Sequence, residues 1–182
     1  MLIIEIPEGE FYDENTERFI RTKPVELQLE HSLISLSKWE SKWEKPFLDK
    51  KEKTKEELID YVRCMTLNKN VDPYIYYLIN QETMAKIRKY MDSSMTATWF
   101  AEDKKKKRGR SREIVTAEII YYWMVALNIP FECQKWHLNR LITLVRVCSI
   151  KNAPPKKMSR NSVMQQNRQL NAARRQALRS KG

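Results

Sequence analysis

The sequence predicts a mostly helical α+β fold: a short N-terminal β element packed on a helical domain, followed by a basic C-terminal tail. Three observations carry this. Residues 2–29 hold short runs of alternating or β-prone residues. Between about 33 and 150, apolar residues recur every three or four positions, the spacing of one helix face. Residues 151–182 carry nine Lys/Arg, no Asp or Glu, and little that is apolar, so they bury no core. The expected division is therefore one domain over 1–152, with strands about 2–30 and helices about 33–150. The tail over 153–182 is expected to be disordered or marginally helical.

The elements follow in order. Leu2-Ile3-Ile4-Glu5-Ile6 reads as a strand ended by Pro7, and Glu8 to Asn15 reads as turn-like. Phe19-Ile20-Arg21 is a second short strand. Val25-Glu26-Leu27-Gln28-Leu29 alternates with period two, as a half-buried strand does. Strands this short need helices to pack on. Ser32 or Ser35 caps a helix that runs to about Lys45, with Leu36, Trp39 and Trp43 on one face and Pro46 as its stop. Thr54-Lys55-Glu56-Glu57 is a capping-box pattern, and the helix it opens carries Leu58, Ile59, Val62 and Met65 on one side. After a turn at 68–72, Asp72-Pro73 restarts a helix through Tyr77 or Leu78. Residues 83–91 form another.

Residues 95–100, MTATWF, are rich in β-formers and read as a strand or an extended connector. Ser111 or Thr116 caps the next helix, with Glu113 complementing its dipole. That helix runs to about Leu127 and is apolar on nearly all sides, which predicts burial (Ile114, Val115, Ile119, Ile120, Trp123, Met124, Leu127). Pro130 suits the first turn of a helix over 131–150, with Leu138, Leu141, Ile142, Val145 and Cys148 inward. Pro154-Pro155 closes the folded part.

Composition narrows the chemistry. The 182 residues are 42% hydrophobic and 31% charged, enough for a core beneath a wet surface. Only three glycines occur, at Gly9, Gly109 and Gly182, too scattered for a phosphate-cradling loop. His31 and His137 are the only histidines, which removes most metal sites and triads, and no cofactor is expected. Three unframed cysteines point to a reducing compartment. The start, MLIIEIPEGE, lacks a basic leader, and the longest apolar run, 119–127, falls far short of the roughly 20 residues of a membrane span. These features read as a soluble cytoplasmic protein without membrane partners.

Net charge is +11, unevenly placed. Residues 1–100 and 113–150 are close to neutral. The basicity sits at 104–112 and in the tail. Lys104, Lys105, Lys106, Lys107, Arg108 and Arg110, with Arg174, Arg175 and Arg179, are candidate contacts for a polyanion or an acidic protein surface. Nucleic acid is the second-choice partner on this ground.

Other candidates have sharp and plain readings. Cys133 and His137 lie four apart and would share a helix face, as metal ligands or as nucleophile and base. They read better as a core thiol and a hydrogen-bonded imidazole. Glu56, Glu57 and Asp60 resemble a metal-nuclease cluster, but carboxylates at a helix start complement its dipole without further function. Trp39 and Trp43, set among charged residues in SLSKWESKWEKPF, read as core or as an exposed aromatic patch.

Several long segments together resemble a known family. They are SLISLSKWESKWEKPFL (32–48), DYVRCMTLNKNVDP (60–73), MTATWF (95–100), the stretch GRSREIVTAEIIYYWMVALNIPFECQKWHLNRLITLVRVCSIKNAPPKKMS (109–159), and LNAARR near the end. They are similar to the tail assembly chaperones encoded in the tail-gene region of long-tailed bacteriophages and prophages. The KKKK at 104–107 is longer and more basic than that family leads one to expect. The resemblance implies a non-catalytic protein, acting in the cytoplasm of an infected or lysogenic bacterium and absent from the mature virion. Its implied partner is the tape-measure protein, kept soluble until tube protein polymerises around it. It also implies, for many phages, a longer product made by programmed frameshifting. A holdase for a long helical protein needs apolar surface. Trp39, Trp43, Phe47 and Leu48 are the candidates, with self-association a further expectation. The rival readings are a nucleic-acid-binding accessory protein using 104–112 and the tail, and a minor structural tail or connector protein.

Overall fold

One pairing rule governs the first thirty residues. In the computed structural model, which describes residues 1–13, 17–100, 114–154 and 160–178, strand β1 (Leu2–Ile6) pairs antiparallel with β4 (Val25–Leu29). Strand β2 (Gly9–Asp13) pairs antiparallel with β3 (Arg18–Thr22). In both ladders the numbers of each paired couple add up to 31: Leu2 faces Leu29, Ile6 faces Val25, Gly9 faces Thr22 and Asp13 faces Arg18. The two ladders are thus one long hairpin in a single register. It is interrupted where Pro7 and Pro24 stand opposite each other, and neither proline has an N–H to give the ladder. A groove of about 370 Å³ opens at the break, lined by Glu5, Ile6, Pro7, Pro24, Val25 and Glu26. β2 corrects the expectation of a turn over Glu8 to Asn15. Its Glu10 and Tyr12 face solvent, and Gly9 lets it lie against Leu78, where a Cβ would come within 2.9 Å of a Leu78 methyl.

The lower half of the hairpin is the half that enters the core. Ile4, Ile6, Leu27 and Leu29 are buried while Ile3 and Glu5 are exposed, the alternation that period two demands. Helix α1 (Leu33–Trp43) follows at once. Ser32 and Ser35 cap it reciprocally, each side chain accepting the other's backbone N–H. Its inward residues are Leu33, Leu36 and Trp39. Helix α2 (Lys55–Met65) starts at the Thr54–Glu57 capping box and buries Ile59, Tyr61, Val62 and Met65. Its end is tied back to the hairpin: the Glu30 N–H donates to the Met65 carbonyl at 2.9 Å and the Leu67 N–H to the Gln28 carbonyl at 2.8 Å.

A 3₁₀ segment, Pro73–Leu78, stands where a helix restart was expected, capped by the Asp72 carboxylate. Helix α3 (Gln81–Asp92) is capped by Asn80 and turns Ile87 and Tyr90 inward. Residues 94–100 form a connector with no strand pairing, turned by a left-handed Met95 (φ 47°). Phe100 in it lies 4.0 Å from the Arg146 guanidinium, a cation–π contact. Helix α4 (Ala117–Ala126) begins after Thr116, the second of the two expected caps, leaving Ile114 and Val115 outside it.

The expected single helix over 131–150 is split. Phe131–Lys135 is 3₁₀, and helix α5 runs Leu138–Asn152. The break has a cause in the packing. His137 forms an isolated antiparallel bridge with Ser32, and the Leu138 N–H donates to the His31 carbonyl at 2.7 Å. Those bonds hold the backbone extended at the point where a continuous helix would pass.

The core joins β1 and β4 to the inward faces of α1 to α5. Helix α1 is its centre, packing on α2, on α4 and on the 131–135 turn. The chain is a mostly helical α+β fold with its sheet at the N-terminal end. It divides into two compact units, Met1–Ser149 and Ile150–Gly182. The second contains helix α6 (Arg160–Leu178), whose described side chains are all exposed. Among the described residues no helix is long and apolar enough to cross a membrane.

Candidate functional site

The aromatic residues expected to form a partner patch are mostly core. Trp39 is 1% exposed and Phe47 is also buried, which corrects the expectation that they offer contact surface. The Trp39 ring meets Phe47 edge-on at 4.9 Å and stacks on Trp43 at 6.0 Å, while Phe47 stacks on Tyr61 at 3.7 Å. Trp39 Nε1 donates to the Glu57 carbonyl at 2.9 Å. Together these rings join α1 to α2. Trp43 is half-buried, its Nε1 donating to Asp60 Oδ2 at 2.9 Å with Lys45 Nζ 5.5 Å over the ring. Leu48 is exposed. A cleft of about 220 Å³ beside Trp39 is walled by Lys45, Asp49, Lys51, Glu52 and Lys53. It is smaller and more charged than ligand pockets of roughly 300–1000 Å³.

The acidic residues of α2 take the plain reading. Glu57 caps its own helix and pairs with Lys45 at 2.7 Å, which holds its carboxyl below the usual range. Asp60 pairs with Lys42 at 2.5 Å. Cys133 and His137 do not share a helix face, because the first lies in the 3₁₀ turn and the second in the bridge to Ser32. Burial pushes the Cys133 thiol pKa up, away from thiolate character.

His137 instead belongs to a buried polar centre with the other histidine. The two rings lie 5.1 Å apart, edge to face. The Tyr61 hydroxyl and His31 Nδ1 share a hydrogen bond at 2.7 Å. His137 Nε2 donates to the Tyr90 carbonyl at 3.1 Å, and its Nδ1 accepts the Asn139 N–H at 3.3 Å. A carbonyl only accepts, so the His137 proton sits on Nε2 and the ring is neutral. The Tyr90 hydroxyl donates to Glu30 at 2.7 Å. Burial, reinforced by His137, lowers the His31 pKa to about 3, and burial lowers that of His137 as well. Four elements meet here through hydrogen bonds that fit neutral rings, so the arrangement is a structural tie.

Exposed apolar surface is found elsewhere. Helix α4 was expected to be buried all round, and it is not. Ala117, Ile120 and Met124 face the core, while Tyr122 and Val125 are 68% and 59% exposed. The helix ends in a left-handed Asn128 (φ 52°). The Ile129 N–H reaches the Met124 carbonyl at 2.8 Å and the Asn128 N–H reaches Val125 at 3.2 Å, a Schellman turn. This reversal brings Phe131, 52% exposed, back beside α4, its ring 6.3 Å from that of Tyr121. The Tyr121 hydroxyl donates to Gln134 Oε1 at 2.9 Å and locks the turn to the helix. Tyr122 and Val125 thus stand exposed on α4, and Phe131 stands exposed on a turn that half-buried Tyr121 braces against the helix.

No protein-family model, curated protein or solved structure matches this chain. The reading of the site therefore rests on its own residues.

Of the basic candidates, Lys104, Lys105, Lys106, Lys107, Arg108, Arg110 and Arg179 lie outside the described residues, as do Ser111 and Glu113. Arg174 and Arg175 sit exposed in α6. Sequence reading missed the α4 surface because a helix apolar on most sides implies burial. The available signal was sequence distance: Tyr122 and Val125 are two and five residues from Ile120, off the three-and-four spacing that Ile120 shares with Ala117 and Met124.

Proposed function

We propose that this protein is a non-catalytic tail assembly chaperone that holds the tape-measure protein during tail morphogenesis, and that the braced α4 surface is where it binds. The observation that carries the reading is the exposure of Tyr122 and Val125 on α4 and of Phe131 on the turn packed beside it. Apolar surface of this kind costs solubility unless a partner covers it. A long helical partner with apolar stretches supplies side chains at helical spacing, and a rigid aromatic surface receives them with little ordering cost. The family resemblance of the segments 32–48, 60–73, 95–100 and 109–159, with LNAARR near the end, supplies the identity of that partner and the place of action, the bacterial cytoplasm. It also supplies the expected absence from the finished particle.

Co-expression with the tape-measure protein tests both halves. The expected result is a co-purifying complex and a rise in soluble tape measure. Tyr122→Ala with Phe131→Ala should weaken the complex at least about tenfold, as aromatic anchors at an interface do. The variant's circular dichroism should be unchanged, because both side chains are exposed. A tape measure equally insoluble with and without this protein would overturn the function. A complex indifferent to the double substitution would overturn the site.

A further inference from the structure

We infer that α6 is a binding element for B-form duplex DNA, lying in the major groove with Arg168, Arg174 and Arg175 on the flanking phosphates. Residues 150–182 contain nine Lys/Arg and no Asp or Glu, so the unit holds no side-chain carboxylate to neutralise them. Its helix is 19 residues long, about 28 Å at 1.5 Å per residue, and its described side chains are exposed throughout. The charge alone selects a polyanion.

The pattern on the helix selects among polyanions. At 3.6 residues per turn, Asn167 and Asn171 lie one turn apart on a single line, with Leu178 on that line and Met164 about 40° to one side of it. Arg174 falls on one side of this column. Arg168 and Arg175 fall on the other. A helix seated in a groove needs this division: cations at both edges for the two strands, and amide side chains between them at the base edges. Asn is suited to adenine, whose N7 accepts and whose N6 donates. The opposite face carries Gln165, Gln169, Ala172 and Gln176, uncharged and free to face solvent.

Two alternatives fit worse. Single-stranded nucleic acid is held by stacking bases on aromatic rings, and residues 150–182 contain no Phe, Tyr or Trp. Duplex RNA presents a major groove too narrow to be read by side chains, whereas the B-form groove, about 12 Å wide, admits a helix of about 10–12 Å. α6 carries these features whether or not α4 holds a tape-measure protein.

The test is fluorescence anisotropy of the full chain with a labelled 24-base-pair DNA duplex, titrated between about 50 and 200 mM salt. Binding is expected in the micromolar range at the low end, weakening linearly on a log–log plot. Arg168→Gln/Arg174→Gln/Arg175→Gln should raise Kd at least tenfold and flatten the salt slope by about 2–3, since each phosphate contact contributes about 0.9. Glutamine has helix propensity close to that of arginine, and circular dichroism checks that the helix persists. An unchanged Kd in the triple variant would overturn the assignment to α6. Tighter binding to single-stranded DNA or to duplex RNA of the same length would overturn the groove. Displacement by polyglutamate as effective as by unlabelled duplex of equal charge would overturn the ligand and favour an acidic protein instead.

Discussion

His31 and His137 show how much the setting of one side chain decides. As isolated residues they invite a catalytic or metal reading. In the fold each is neutral, buried and committed to hydrogen bonds with Tyr61, Tyr90 and Asn139. Facing them are each other's ring and the Glu30 carboxylate that takes the Tyr90 hydroxyl. Their folded pKa values lie below the ordinary 6.5, His31 at about 3. An unfolded chain therefore binds protons that the fold refuses. The stability this protects is complete above about pH 6.5 and is lost as pH falls towards the folded values. The loss is at most about 1.4 kcal/mol per pH unit for each histidine. The melting temperature should accordingly drop between pH 7 and pH 5. His31→Gln, whose amide can still hydrogen-bond Tyr61, should remove much of that slope while lowering stability at pH 7. A variant with the full wild-type slope would show that the acid sensitivity arises elsewhere. Trp39 gives the complementary lesson. Its charged neighbours Lys38 and Glu40 suggest a surface, but its spacing from Leu36 sets its face, and that face is the core.

At the scale of an element, α4 depends on a residue 77 positions before it. Thr116 makes no side-chain cap. Instead the buried Glu40 carboxylate of α1 accepts the Ala117 N–H at 2.7 Å and the Phe47 N–H at 2.9 Å. Burial raises the Glu40 pKa against the pull of those two donors. One carboxylate thus caps the helix, complements its dipole and fixes the loop after α1. Glu40→Ala leaves two buried N–H groups without acceptors and should cost about 2–4 kcal/mol in urea unfolding. Glu40→Gln keeps one acceptor and should cost less; equal losses would show that packing volume, not the acceptor, matters there. The start of α2 was legible in the sequence because its capping box is local, Thr54 to Glu57. The start of α4 was legible only as one of two positions, Ser111 or Thr116, because the bond that fixes it after Thr116 arrives through tertiary structure. The split between 131–135 and α5 was hidden for the same reason, since its cause is His31 and Ser32. Three of the hairpin's four strands were legible, at 2–6, about 19–21 and 25–29, whereas β2 is too polar to declare itself and is defined by its partner β3.

For the molecule as a whole, the body and the C-terminal unit differ in what holds them. Met1–Ser149 has a continuous core, and the described side chains of helix α6 are exposed. A chain ending after Asn152 should therefore unfold at the same temperature as the full chain, within about a degree. A clear drop in that melting temperature would mean that residues 153–182 support the body. The division also separates the two proposed activities, an apolar surface on the body and a cationic helix beyond it, so that either can be altered while the other is measured.

The hairpin's single register has a consequence for how this chain can change length. Adding one residue to either arm between Pro7 and the tip would shift every couple beyond it and turn each side chain to the opposite face. The same addition made on both arms, at positions facing each other, preserves every couple. Length here can be gained or lost only in matched pairs, and the two opposed prolines mark the place where a mismatch is most easily absorbed. Below them Ile6 and Leu27 are anchored in the core, while above them Tyr12 and Phe19 meet solvent.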